Sequence, residues 1–194
     1  MYYFEPVTLE GKHIRLEPLD PSVHAAPMYE FFEPRVTEFL SRGGTPVETA
    51  TDLQAHLELL NAIPKRLNWA VRMLGTNAIA GRISYSEINE SSKWLEIGTM
   101  LMPAFWGSMA NPEGKLLLMA RAFEVLQVNR VQFKVDVRNQ RSQGSMAKMG
   151  AVREGVLRQY QIRADGFVRD SVMYSVLRSE WLEVKQKLKA RVSV

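Results

Sequence analysis

The chain holds no cysteine and three histidines, His13, His24 and His56, so carboxylates, hydroxyls, amides and backbone N–H groups must carry its chemistry. Thiolate nucleophiles, disulfides and cysteine-ligated metals are thereby excluded. No H-x-x-H or H-E-x-x-H spacing occurs, and no metal site is expected. Two short segments have the residue types of a ligand site. Gly107-Ser108-Met109-Ala110-Asn111-Pro112-Glu113 leaves a strand-like stretch and opens a helical one. A helix start offers unpaired N–H groups and the positive end of a dipole, which together can hold a pyrophosphate. The same residues also read as a plain helix start, with Asn111 as cap and Pro112 at the first helical position. Asn139-Gln140-Arg141-Ser142 follows Val135-Asp136-Val137-Arg138. Here Asn139 is either a ligand contact or a helix cap, and Ser142 either a donor or a solvated helix residue.

The elements that must position these segments follow from periodicity. His13–Leu19 alternates as an opening strand, and 22–32 reads as a short helix stopped by Pro34. Thr45-Pro46-Val47-Glu48 has the form of a capping box, which predicts a helix to about Ala62 with Leu53, His56, Leu57 and Leu60 inward. Strands are expected over 67–74, 78–88 and 93–102, joined by tight turns as an antiparallel meander. A helix over 112–126 carries an apolar stripe at Leu116, Met119, Ala120, Phe123 and Leu126. Val131–Val137 alternates as a strand with Val131, Phe133, Val135 and Val137 inward. A helix over 139–149 closes at Gly150. Strands at 151–157 and 168–177 meet at the Ala164-Asp165-Gly166 turn, and Ser179 caps a last helix over 179–191. A meander followed by crossovers predicts a mixed α/β sheet with helices on both faces. The length of 194 residues suits one domain, with its core over about 11–181.

Composition is that of a soluble globular chain, 46% apolar and 24% charged. No apolar run is long enough to span a membrane, and the first residues lack the pattern of a signal peptide. A cytoplasmic location is expected. The net charge of +4 permits an anionic partner such as a nucleotide phosphate. Lys185, Lys187, Lys189 and Arg191 are spaced so as to scatter around a helix, the mark of a solvated face. A basic RNA-binding module would interleave aromatics with basic residues on one face. Gln132-Phe133-Lys134-Val135 offers a buried strand with one charge, so no specific nucleic acid is expected.

The order of the pieces is more specific than any one of them. Glu96-Ile97-Gly98, Trp106-Gly107, Arg130-Val131 and Asn139 to Ser142 are followed by Gly150-Ala151-Val152-Arg153-Glu154-Gly155-Val156-Leu157-Arg158. Then come Asp170-Ser171, Tyr174-Ser175-Val176-Leu177 and Glu180-Trp181. From about Gly11 to Trp181 this series resembles the GNAT superfamily of acetyltransferases, and within it the branch that acetylates the N-termini of ribosomal proteins. The resemblance implies a strand like 93–102 that splays from a parallel neighbour like 131–137. The pantetheine arm of acetyl-CoA would slot between them, against backbone near Met100, Leu101 and Met102. Its pyrophosphate would sit on the loop of Trp106, Gly107, Ser108, Met109, Ala110 and Asn111. Asn139 and Ser142 would face the pantetheine and the thioester sulfur. The chain departs from the family twice. Its phosphate loop usually reads Q/R-x-x-G-x-G/A, and those positions hold Trp106, Met109 and Asn111. A tyrosine acid usually stands where Met146 does, which leaves Ser142 as the donor to the departing thiolate.

Acetyl transfer needs a neutral amine beside a polarised thioester, and a carboxylate acting directly or through water suffices as base. Glu96 and Glu87 are placed by the resemblance near the acetyl group, and Glu96 matches the family's E-I-G. Alternatively Glu96 is a solvated carboxylate on an exposed strand face. Trp69, Tyr85 and Glu87 are candidates to line the acceptor pocket, although aromatics at strand spacing also suit the core. The expected acceptor is the α-amine of a protein, such as a ribosomal protein. A small amine (a polyamine or antibiotic) and a non-catalytic CoA-binding or ribosome-binding module are the alternatives.

Overall fold

The computed structural model describes residues 4–40 and 46–193. The described residues form eight strands: β1 (Leu9–Glu10), β2 (Ile14–Pro18), β3 (Leu67–Met73), β4 (Ile79–Asn89), β5 (Trp94–Leu101), β6 (Arg130–Asp136), β7 (Val152–Ile162) and β8 (Val168–Leu177). They form one sheet in the order β1-β2-β3-β4-β5-β6-β8-β7. Every adjacent pair is antiparallel except β5 and β6. The helices are α1 (Pro21–Tyr29), α2 (Ala50–Asn61), α3 (Ala110–Ala120), α4 (Gln140–Met149) and α5 (Trp181–Val192). This is the expected mixed α/β architecture.

The sheet separates two apolar layers. On one face Leu95, Ile97, Val131, Phe133 and Val172 pack against Leu118 of α3, Met146 of α4 and Leu188 of α5. On the other, Ala70, Ile79, Met100 and Met102 pack against Met28 of α1 and Leu53, Leu57 and Leu60 of α2. Helix α3 is tied to the start of β2 by Glu113. Its buried carboxylate accepts backbone N–H bonds from Lys12, His13 and Ile14 at 2.6, 2.9 and 3.0 Å. Gly11 allows that approach, since a Cβ there would lie 2.4 Å from Glu113 Oε1.

Several boundaries differ from the sequence reading. Helix α2 starts at Ala50, where Thr49 and Asp52 form the capping box; Thr45 lies outside the described residues. Asp20 caps α1, which therefore starts at Pro21. Helix α3 begins at Ala110 rather than Pro112 and continues as a π-helical turn over Arg121–Val125. Asn111 lies inside this helix and bonds to Ser145 and Lys115 instead of capping. Val137 falls just past β6 and is exposed rather than inward. The last helix is not capped by Ser179; Glu180 Oε2 accepts the Leu177 N–H at 2.8 Å. Asn139 does cap α4, and Gly150 closes it at φ 91°. Among the described residues no helix is long and apolar enough to cross a membrane.

Candidate active site

Strands β5 and β6 pair only at Trp94–Arg130, Leu95–Val131 and Glu96–Gln132. Beyond Glu96 they separate, while β5 runs on to Leu101 and β6 to Asp136. Backbone N–H and C=O groups point alternately to either side of a strand. The Met102 N–H donates to Ala80 O at 2.8 Å on the β4 side, and Asn129 N–H donates to Lys93 O at 2.7 Å on the β6 side. Even positions of β5 therefore address β4. Ile97, Thr99 and Leu101 address the gap, and a ligand lying in it would meet their backbone as a missing strand. Trp106 Nε1–H already takes the Leu101 carbonyl at 2.7 Å. The expectation of backbone contacts at Met100 and Met102 is thus corrected by one residue. Met100 still lines the cavity, whereas Met102 is fully buried in the layer beneath α1 and α2.

The gap opens into a cavity of about 550 Å³ that reaches both faces of the sheet. At one end lies the loop before α3. Gly107 turns it at φ 83°, a conformation that favours glycine. Met109 stands at φ −70°, so a side chain is accommodated where the family has glycine. Trp106, Gly107, Ser108 and Asn111 line the cavity, but Met109 and Ala110 do not, and Ala110 is buried in the core. Cations surround this end. Arg141 and Arg35 lie over the Trp106 ring, 3.2 and 5.1 Å from its centroid. Lys115 is buried, donates to Asn111 Oδ1 at 2.6 Å and has no carboxylate partner among the described residues. Burial, then the nearby Arg191, pull its pKa down to about 7. A cluster of cations with so few anions fits a polyphosphate. Lys115, Arg141 and Arg191 escaped the sequence reading because their depth depends on contacts between α3, α4 and α5. Arg191 belongs to the run read as solvated, yet it lines the cavity.

Asn139 and Ser142 both line the cavity from α4. Asn139 Oδ1 accepts the Ser142 N–H at 3.0 Å, so the cap and the cavity position coexist. Met146 is buried beside them. Across the gap, Glu96 is buried rather than solvated. It accepts from Ser86 Oγ at 2.9 Å and Gln132 Nε2 at 3.3 Å and pairs with Lys134 at 3.1 Å. Glu87 lines the same wall, half-exposed. Trp69 and Tyr85 do not line it. Both are fully buried and meet edge to face at 5.1 Å. Trp69 Nε1–H donates to Val7 O at 2.8 Å and Tyr85 Oη–H to Leu118 O at 2.7 Å, so both polar ends are satisfied within the core. Burial pushes the Tyr85 hydroxyl pKa up. Their expected place in an acceptor pocket is withdrawn. Among the described residues no three His, Asp or Glu side chains converge as a metal-ion site.

Residues 13–152 match the family model described as Acetyltransferase (GNAT) domain. The chain belongs to this family. A GNAT enzyme is an N-acetyltransferase, and acetyl-CoA supplies the acetyl group as a thioester. The protein is 49% identical to a solved chain described as a "putative acetyltransferase" from T. thermophilus, with 98% of this chain and 99% of that one covered at a TM-score of 0.91. It is 25% identical to the uncharacterized N-acetyltransferase YoaA of Bacillus subtilis over 68% of this chain and 74% of YoaA. It is 29% identical to the "Putative ribosomal N-acetyltransferase YdaF" of the same organism, over 56% of this chain and 59% of YdaF. The geometry suits the GNAT cosubstrate: strand backbone open along the gap, a helix start, and cations without matching acids at the loop.

Proposed function

We propose that this chain acetylates the N-terminal α-amine of a protein or peptide, ribosomal proteins foremost, by direct attack on acetyl-CoA. The carrying observation is the cavity through the sheet. Its α3 end suits a phosphate, and its far wall holds Glu96 and Glu87, so an amine entering there meets carboxylates across from Ser142. The likeness to YdaF supports the ribosomal class of acceptor. The amine nitrogen bonds to the acetyl carbon as the carbon–sulfur bond breaks. Glu96, directly or through water, takes the proton that the amine loses, and Ser142 Oγ–H supplies one to the departing sulfur. Asn139 holds the pantetheine arm.

An α-amine loses its proton about two pKa units below a lysine side chain, so it is the easier nucleophile at neutral pH. Peptides with a free N-terminus and blocked lysines are expected to gain one acetyl group by mass spectrometry. The same peptides with a blocked N-terminus and free lysines should react poorly near pH 7 and better as pH rises. Fast acetylation of the second set at neutral pH contradicts the proposal.

A further inference from the structure

Side chains alternate across a strand, so each face of the sheet collects its own set. On β6, Val131, Phe133 and Val135 fill the layer beneath α3, α4 and α5, which sends Gln132 and Lys134 to the opposite face. Glu96 of β5 meets them there, beside Ser86 of β4. The pairing of β5 with β6 ends at Glu96 and Gln132. Glu96 therefore stands at the fork where the strands part, and Lys134 lies two residues further along β6, on the wall of the cavity.

Both oxygens of the Glu96 carboxylate are engaged. Ser86 Oγ donates to Oε1 at 2.9 Å, and Gln132 Nε2 donates to Oε2 at 3.3 Å. Lys134 Nζ lies 3.1 Å from the same Oε2. Two further strands hold this ammonium. Glu87 of β4 lies 3.7 Å away, and the Tyr160 ring of β7 has its centroid 5.1 Å away. Other charged groups around this wall are Arg82 of β4, Arg66 just ahead of β3, and Arg169 of β8, which pairs with Asp136 at 3.3 Å.

Glu96 is 7% exposed. Burial favours the neutral form of a carboxyl group, and a neutral carboxyl cannot take a proton from an amine. A cation at hydrogen-bond distance opposes that effect. Burial pulls the Lys134 pKa down, but Glu96, helped by Tyr160 and Glu87, outweighs it and leaves it above the ordinary lysine value. The ammonium thus stays charged at neutral pH.

We propose that Lys134 is a positioning residue for acetyl transfer, whose ammonium keeps the Glu96 carboxylate ionised at the fork, with Tyr160 and Glu87 holding that ammonium in place. This deepens the reading of Glu96 as the base and rests on it. The proton that leaves the amine goes to Glu96, directly or through water; Lys134 neither accepts nor gives one.

The test follows acetylation of one free-N-terminus peptide across pH at saturating acetyl-CoA. Lys134→Met removes the charge and keeps an unbranched side chain. It should lower kcat about tenfold or more at neutral pH. It should also move the acid limb of the kcat/KM profile up by about one pH unit or more, so that activity recovers as pH rises. Lys134→Arg should restore most of the rate, and Tyr160→Leu should move the same limb by less. The dissociation constant for acetyl-CoA should stay unchanged in all three. A variant that merely loosened the fold would lose rate at every pH alike, without rescue by arginine. Should Lys134→Met fail to fold, Lys134→Gln and Tyr160→Leu carry the same test. Glu96→Gln alone should lower kcat about a hundredfold or more, and adding Lys134→Met to it should cost little further, because the two act as one unit. An inactive Glu96→Gln together with an unmoved acid limb in Lys134→Met would overturn this inference and leave the base standing. An equal cost of Lys134→Met with and without Glu96 would do the same. Full activity of Glu96→Gln would remove the base, and this inference with it.

Discussion

Asn139 and Ser142 show how one residue can serve the fold and the site together. The Asn139 amide oxygen is engaged by the Ser142 N–H. Asn139→Ala should therefore cost about 1 kcal/mol of stability as a lost cap and also weaken acetyl-CoA binding. Ser142 Oγ makes no hydrogen bond to another described residue, so Ser142→Ala should leave the melting temperature unchanged while lowering kcat more than it raises the acetyl-CoA dissociation constant. Stability loss in both variants with normal kinetics would return both residues to the helix alone. Lys115 points to the opposite trade. Its ammonium is buried against Asn111 and 5.9 Å from the Phe133 ring centroid, with no acid paired to it among the described residues. Because burial depresses its pKa from 10.5 to about 7, folding expels a proton between those values. The penalty is full below pH 7 and fades as pH rises toward 10.5. Lys115→Met should raise the melting temperature of the ligand-free protein at pH 7, by roughly 2–4 °C for each kcal/mol recovered, and weaken acetyl-CoA binding. Calorimetry of the variant with and without acetyl-CoA separates the two effects; a destabilised variant that binds normally contradicts this account.

At the scale of elements, Glu17 joins three of them. It lies near the end of β2, accepts from Arg72 of β3 at 2.7 Å and meets His24 of α1 at 3.1 Å. The hydrogen bond from Arg72, outweighing burial and helped by His24, holds its pKa at about 2. The unfolded chain protonates near 4.5, so this contribution is present above pH 4.5 and lost as pH falls toward 2. Glu17→Gln should flatten acid unfolding within that window; an unchanged pH profile from 4.5 to 2 would contradict the assignment. The strands and helices themselves were legible because alternation and helical stripes are local. Val131, Phe133 and Val135 read as an inward strand face and are one. Ends were less legible, since several residues compete for a cap. Thr49 with Asp52, not Thr45, starts α2, and the π-turn after Ala120 leaves no mark in the sequence. The loop and the α4 start were recognisable from the order of motifs. Trp69 and Tyr85 were misplaced because their spacing is equally that of core aromatics. Arg169 was invisible because β8 gives no sign of which neighbours bury it.

For the whole molecule, the account depends on β5 and β6 parting after Glu96 and leaving the backbone of Ile97, Thr99 and Leu101 open beside a cationic loop. We read that arrangement as an acetyl-CoA cradle, and occupying it should stabilise the fold as a unit, since strands, α3 and α4 all border it. The most direct test is thermal unfolding with and without acetyl-CoA. At a hundredfold excess over its dissociation constant the ligand should add about 2.7 kcal/mol, a rise of roughly 5–10 °C in melting temperature. That rise should shrink in Asn139→Ala and Lys115→Met. A melting temperature that does not move at millimolar acetyl-CoA would contradict the account.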